Sequence, residues 1–104
     1  MQQDYFSETN FIKSFTRILS RLQNYDYAKK MVITSQTYLY EQLDLDSLDV
    51  MMAIIDLEKK YGVRTPDENH EKIQTVGDLY KLFATCLVNK NKQNMTQSYV
   101  QKVK

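Results

Sequence analysis

The feature that most constrains the fold is a stretch between residues 47 and 61 with apolar residues at helical spacing on two sides. The first set, here called the inner stripe, comprises Val50, Ala53, Ile54, Leu57 and Tyr61. The second set, the outer stripe, comprises Leu48, Met51, Met52 and Ile55. A helix that is apolar on two sides is either buried all round or presents one side to a partner. We expect the inner stripe to face the core and the outer stripe a partner; the alternative is that both are core.

The ends of this helix are also indicated by the sequence. Asp46 or Ser47 suits the N-cap position, and Asp49 complements the helix dipole in the first turn. Gly62 suits the residue after the last turn, so the helix is expected to run from Ser47 to about Lys60.

Two further amphipathic helices flank this one. The spacing predicts a helix over residues 8–23, capped by Ser7 or Thr9, and another over 76–88, where Thr75 and Asp78 have capping-box spacing. Residues 24–43 lack such a period and read as a long ordered connection, while Pro66 is placed to open a short helical turn. With only 2 Gly and 1 Pro in the chain, an all-α fold is expected.

The 104 residues correspond to one domain. The first residues do not resemble a signal peptide, and Cys86 is the only cysteine, so we expect a cytoplasmic protein. The longest apolar run, residues 50–55, is far shorter than the roughly 20 residues of a transmembrane helix, so no transmembrane segment is expected.

Charge is segregated along the chain, with −6 across residues 41–80 and +5 across residues 81–104. An acidic centre disfavours nucleic acid, because phosphate binding needs cations, and favours a basic protein partner. We divide the chain into an N-terminal extension (1–7), the folded domain (8–88) and a basic, flexible tail (89–104) that could fold back on the acidic segment.

The sequence contains few of the residue patterns that catalysis requires. The single histidine, His70, lies in an acidic loop and is expected to be exposed, and no Gly-x-Ser-x-Gly elbow surrounds Ser47. No metal site is expected, since Asp44, Asp46 and Asp49 lack the glycine and glutamate of a calcium loop. An exposed serine at a helix N-terminus suits a phosphate ester, so Ser47 is interpreted as an attachment point rather than a nucleophile.

Asp46-Ser47-Leu48 resembles the Asp-Ser-Leu attachment motif of the acyl carrier protein family. The surrounding segments occur in the order and spacing of that family: residues 57–63 at the end of the helix, Pro66-Asp67-Glu68 after it, and residues 73–79 at the start of the last helix. The resemblance is close over residues 31–84. It implies a four-helix bundle of three main helices and one short helix, with a long first loop.

By this resemblance, Ser47 would carry covalent 4′-phosphopantetheine from coenzyme A, with Asp46 and Leu48 completing the motif. The expected role is that of a discrete, monomeric carrier, not an enzyme, that holds acyl intermediates as thioesters. Its expected partners are a phosphopantetheinyl transferase and acyl-loading, ketosynthase or acyltransferase enzymes of fatty-acid, specialised lipid or polyketide synthesis. The resemblance places the partner-binding surface on Leu48, Asp49, Met51, Met52, Ile55 and Asp56. It places a cavity for short chains at the inner stripe, Ile33 and Leu43.

The sequence departs from the family pattern before and after the motif. The usual glycine before the motif is missing, since Leu43 is followed by Asp44-Leu45, and a stiffer loop is expected. Met52 and Lys59 stand where carboxylates are common, which predicts a more hydrophobic partner surface. Two alternatives remain: a peptidyl, aminoacyl or D-alanyl carrier, and a helical interaction protein that has the fold but is never modified.

Overall fold

The computed structural model describes residues 6–103, without the side chains of residues 67–69 and 91–103. Four α-helices follow one another, α1 (Glu8–Gln23), α2 (Tyr27–Lys30), α3 (Ser47–Tyr61) and α4 (Val76–Val103), and a 3-10 helix (Asp67–Lys72) lies between α3 and α4. The described residues contain no β-strand, only one isolated bridge between Tyr38 and Thr75. The predicted all-α fold with three main helices and one short helix is confirmed.

The helix ends follow local hydrogen-bonding chemistry. Ser7 caps α1 by accepting a hydrogen bond from the backbone N–H of Asn10. Gly62 ends α3 with a φ of 68°, a left-handed conformation that glycine adopts without a Cβ clash. At the start of α4, the Thr75 hydroxyl accepts from the Asp78 N–H at 3.0 Å, and the Asp78 carboxylate accepts from the Thr75 N–H at 3.1 Å. The predicted capping box of α4 is therefore confirmed.

The core lies where α1, α3 and α4 bring their apolar faces together. Its largest fully buried side chains are Phe11, Phe15, Leu19, Leu39, Ile54, Leu57, Val76, Leu79 and Phe83. Phe6, the first described residue, stacks on Tyr80 and meets Phe11 and Tyr61 edge-on, so it packs against this core. Each aromatic pair of this kind contributes about 1 kcal/mol of stability beyond the effect of burying its apolar area.

The connection between α1 and α3 differs from the sequence expectation because it contains the short helix α2. Asp26 caps α2 by accepting from the Lys29 N–H, and four residues are too few to show a helical period in the sequence. The rest of the connection is held against the start of α4 by backbone hydrogen bonds. Leu39 N donates to Gln74 O at 2.9 Å, and Gly77 N donates to Ser35 O at 2.7 Å. The predicted ordered connection thus obtains its order from long-range contacts.

The last helix extends well past its predicted end at residue 88 and reaches Val103. The side chains of residues 91–104 lie outside the described part of the chain. The predicted flexibility of the tail, and its folding back on the acidic segment, therefore stay predictions.

Candidate functional site

Ser47 is the first residue of α3 and is exposed. The turn before it is fixed by a reciprocal pair of hydrogen bonds between the residues on either side. The Asp46 carboxylate accepts from the Asp49 N–H at 2.8 Å, and the Asp49 carboxylate accepts from the Asp46 N–H at 3.1 Å. Asp46, not Ser47, is therefore the N-cap, and the capping box leaves the serine side chain out of the helix's own bonding.

The entry loop to α3 is anchored by two buried leucines. Leu43 and Leu45 are 3% and 4% exposed, and Asp44 between them is exposed with a φ of 57°. This left-handed conformation is costly for most residues and is best tolerated by glycine, asparagine and aspartate. Asp44 thus occupies the conformation that the missing glycine would adopt without strain.

The surroundings of Ser47 fit a phosphate ester. Among the described residues, no hydrogen bond involves the Ser47 hydroxyl, and the backbone N–H groups of Ser47 and Leu48 have no acceptor. First-turn amides have no partner within a helix, and together with the helix dipole they stabilise an anion. A group attached to the Ser47 oxygen would also meet no steric obstacle from the core, since the side chain faces solvent.

The two stripes of α3 differ in exposure as the sequence predicts. In the inner stripe, Val50, Ala53, Ile54 and Leu57 are at most 5% exposed, and Tyr61 is half-buried. In the outer stripe, Leu48 is 61% exposed, Met51 49%, Met52 43% and Ile55 43%. These side chains form a continuous apolar surface that begins beside Ser47, because residues three and four apart are neighbours on a helix.

Two carboxylates lie on the α1 side of the outer stripe, and α1 contacts both. Arg21 pairs with Asp56 at an N–O distance of 2.8 Å. The Asp49 carboxylate accepts from the Asp46 backbone and, next in effect, from the Gln23 side chain, and these bonds lower the pKa of Asp49 below its ordinary value. The last turn of α1 thereby partly satisfies the acidic groups that a basic partner would approach.

A groove of about 550 Å³ starts at Ser47 and follows α3, and we call it the serine groove. It is lined by Tyr40, Ser47, Val50, Met51, Ile54, Ile55, Glu58, His70 and Glu71. Of the residues predicted to line a cavity, only Val50 and Ile54 line this groove. Ala53 and Leu57 are buried in the core, and Tyr61 lines a different groove beside α1. Ile33 lines a separate groove between α1 and α2, and Leu43 is buried in the core.

His70 was expected to be an exposed loop residue, and this expectation is wrong. The residue belongs to the 3-10 helix, is half-buried, and lines the serine groove with Ser47. Its Nε2 lies 2.8 Å from the Thr65 hydroxyl, which in turn lies 2.7 Å from the Glu58 carboxylate. The sequence contains no signal for this cluster, because its members come from three different elements.

Among the described residues, no base forms a hydrogen bond with the Ser47 hydroxyl. In the same part of the chain, no group of three or more His, Cys, Asp or Glu residues is placed to hold a metal ion. Within residues 6–103, no helix combines the length and apolar character needed to cross a bilayer.

Comparison with known proteins gives a consistent result. Residues 30–83 match the family described as "Phosphopantetheine attachment site". The chain is similar to an acyl carrier protein of Helicobacter pylori (strain G27), with 41% identity over 64 residues, which are 62% of this chain and 78% of the relative. An acyl carrier protein of Arthrobacter sp. (strain FB24) is 43% identical over 46 residues, 44% of this chain and 57% of the relative.

Fold and site together define a small helical domain that presents a serine beside an exposed apolar helix surface. The chain belongs to the acyl carrier protein family. Its cofactor is 4′-phosphopantetheine, held covalently, and its role is that of a carrier and not of a catalyst. Carriers of this kind interact with biosynthetic enzymes.

Proposed function

We propose that Ser47 is the attachment residue for 4′-phosphopantetheine and that the chain delivers acyl intermediates to partner enzymes. The pathway is a fatty-acid, specialised lipid or polyketide pathway. The observation that carries the proposal is the exposed Ser47 hydroxyl, which no described residue binds, at the first position of a capped helix. The bound arm supplies a thiol that holds the acyl group as a thioester.

The residues around Ser47 have distinct roles in this proposal. Asp46 fixes the helix start through its bond to the Asp49 N–H, so the backbone at Ser47 is held in place for modification. Leu48 stands beside it as the most exposed member of the outer stripe. A phosphopantetheinyl transferase would have to contact both the serine and this apolar residue to modify the chain.

The partner surface is proposed to comprise Leu48, Asp49, Met51, Met52, Ile55 and Asp56. Methionine side chains are flexible and polarisable, so Met51 and Met52 can adapt to the surfaces of several enzymes. The same surface would serve the transferase and the acyl-loading, ketosynthase or acyltransferase enzymes in turn.

Intact-mass measurement tests the attachment. The chain is incubated with coenzyme A and a phosphopantetheinyl transferase, and we expect one phosphopantetheine per chain. Ser47→Ala should abolish the mass gain, whereas Ser35→Ala, a change at a half-buried serine of the connection before α3, should leave it intact. Addition that persists in the Ser47→Ala variant would refute Ser47 as the site.

The rival function is a helical interaction protein that keeps the fold without modification. The match over residues 30–83 and the free Ser47 hydroxyl favour the carrier. Only unmodified chain in cells that modify their other carriers would favour the rival. The proposal also includes a cytoplasmic location and a monomeric state. The intact mass of the protein purified from its host would identify the cargo as well as the arm.

A further inference from the structure

The serine groove changes chemical character along its length. Ser47, Val50, Ile54 and Glu58 succeed one another at helical spacing on one side of α3. From the helical rise, Glu58 lies about 16 Å along the axis from Ser47. Met51 and Ile55 add apolar wall to this side, and His70 lies at the Glu58 end because Thr65 bonds to both residues. Tyr40 and Glu71 complete the lining. A groove that served only to cover hydrocarbon would not need a polar end.

The hydrogen bonds at this end determine which ring nitrogen of His70 carries the hydrogen. Oε2 of Glu58 accepts from the Thr65 N–H at 2.8 Å and from the Thr65 hydroxyl at 2.7 Å. A hydroxyl has one proton, and Thr65 donates it to the carboxylate, so the Thr65 oxygen must accept from His70 Nε2 at 2.8 Å. Nε2 therefore carries a hydrogen, and in the neutral imidazole Nδ1 is an acceptor.

Several hydrogen-bond acceptors of Glu58, His70 and Glu71 are not used by the bonds described above. Among the described side chains, Oε1 of Glu58, Nδ1 of His70 and the Glu71 carboxylate have no hydrogen-bonding partner. An unsubstituted alkyl chain that reached this end would displace water from acceptors without replacing its hydrogen bonds, which is unfavourable. A chain with a hydroxyl or amino group would replace those bonds with its own donor.

We propose that the serine groove selects acyl cargo bearing a hydrogen-bond donor, a hydroxyl or an amino group, through Glu58 and His70. This inference rests on the proposed attachment of the arm at Ser47, and it adds the chemical class of the cargo. Thr65 acts as a positioning residue, because its buried hydroxyl joins the Glu58 carboxylate to the imidazole.

The test loads the full chain with stable amide analogues of the acyl arm. Butyryl and octanoyl chains are each prepared unsubstituted and with a terminal hydroxyl, amino or methoxy group. Intact mass reports whether the arm is loaded at Ser47. A failure of the proposed function therefore appears in the mass, and a failure of cargo selection appears only in the second readout. The readout for the cargo is the ¹⁵N chemical shifts of the His70 imidazole.

We expect the hydroxyl or the amino chain to shift the His70 resonances at one or both chain lengths. The methoxy chain, which lacks the donor hydrogen, and the unsubstituted chain should leave them as in the protein with the unacylated arm. The hydroxyl and amino arms separate the two donor groups. Equal shifts from methoxy and hydroxyl chains, or no shift from any donor chain, would overturn the proposal.

Variants provide a second measurement. His70→Phe keeps a ring but removes the Nδ1 acceptor, and Glu58→Gln removes the carboxylate; each should lower the fraction of donor cargo in the groove about fivefold, the effect of one hydrogen bond. The matched control is Glu41→Gln, an exposed carboxylate outside the groove, which should change nothing. Because the comparison of cargoes uses the unaltered chain, it decides the proposal even if a variant fails to fold.

Discussion

Arg21 of α1 and Asp56 of α3 form an ion pair with an N–O distance of 2.8 Å, and it joins the two helices at the edge of the proposed partner surface. The Arg21 side chain is 65% exposed and that of Asp56 is 25% exposed, so water screens the pair. Arg21 and Asp56 line a groove between α1 and α3, distinct from the serine groove, and its other charged members are Arg17, Lys59 and Lys60. The acidic edge of α3 therefore borders a cationic groove.

Removal of this pair should have a small effect on stability. Because the pair is exposed, a double-mutant cycle of Arg21→Ala and Asp56→Ala should give a coupling energy below about 1 kcal/mol that decreases with added salt. Urea unfolding at low and high ionic strength measures it. A coupling energy above about 2 kcal/mol, insensitive to salt, would show that the pair is effectively buried.

Replacement of Asp44 tests the strain in the entry loop. Since Asp44 has a φ of 57°, Asp44→Gly should stabilise the fold or leave it unchanged, within about 1 kcal/mol, and Asp44→Val should destabilise it by about 1–2 kcal/mol. Thermal unfolding compares the variants. A more stable valine variant would mean that the loop adopts another conformation in solution.

Gly77 should not tolerate a side chain, although alanine normally favours a helix. A Cβ at this position would lie 2.7 Å from the Ser35 carbonyl oxygen, which is backbone and accepts the Gly77 N–H. Gly77→Ala should therefore cost about 1–3 kcal/mol of unfolding free energy. Thr85→Ala, an exposed change in the same helix, is the control and should be neutral or slightly stabilising. Equal stabilities of the two variants would show that the connection before α3 moves aside without cost.

Acid should weaken the start of α4. Partial burial raises the pKa of Asp78, but hydrogen bonds from the Gln74 and Thr75 backbone N–H groups outweigh it and hold the pKa below its ordinary value of 3.8. The folded state thus disfavours protonation of Asp78. The stability that its hydrogen bonds contribute is therefore complete above about pH 4 and is lost as the pH falls through the lowered pKa.

Asp78→Asn should make the fall in unfolding free energy below about pH 4 shallower than in the unaltered chain, as measured by urea unfolding across the acid range. Glu41→Gln, at an exposed turn residue, is the control. If both variants follow the unaltered chain on acidification, the capping box of α4 does not contribute to acid sensitivity.

The outer stripe should affect recognition without affecting the fold. Met51 and Ile55 are each more than two-fifths exposed, so Met51→Gln and Ile55→Gln should change unfolding free energy by only about 0.5 kcal/mol. We expect both to lower kcat/KM for modification by a phosphopantetheinyl transferase.

Val32→Thr, at an 85% exposed position outside α3, is the matched control for recognition. Ile54→Ala, in the buried inner stripe, should instead cost about 2–5 kcal/mol of stability. Unchanged kcat/KM in both outer-stripe variants would exclude these residues from the transferase contact.

Periodicity was sufficient to predict α1, α3 and the first part of α4, because each has an amphipathic pattern several turns long. It did not reveal α2, whose four residues are fewer than two turns, or the extension of α4 to Val103, where the sequence is polar. Periodicity also predicted a second apolar side on α3, the outer stripe, with burial of both sides as the alternative. Two apolar sides on one helix indicate either burial all round or one side facing a partner, and the exposure of the outer stripe decides for the second.

The sequence by itself determined the amphipathic helices, the candidates for their caps and the position of Ser47 at the start of α3, since these depend on residues within a few positions of one another. Only the tertiary structure decided which side chains meet along the serine groove and at the edge of the partner surface: His70 and Thr65 against Glu58, and Arg21 against Asp56. These contacts join segments up to 35 residues apart in the chain, and no local pattern of residues encodes which side chains packing brings together. The site is therefore readable from the sequence, while its surroundings are a property of the fold.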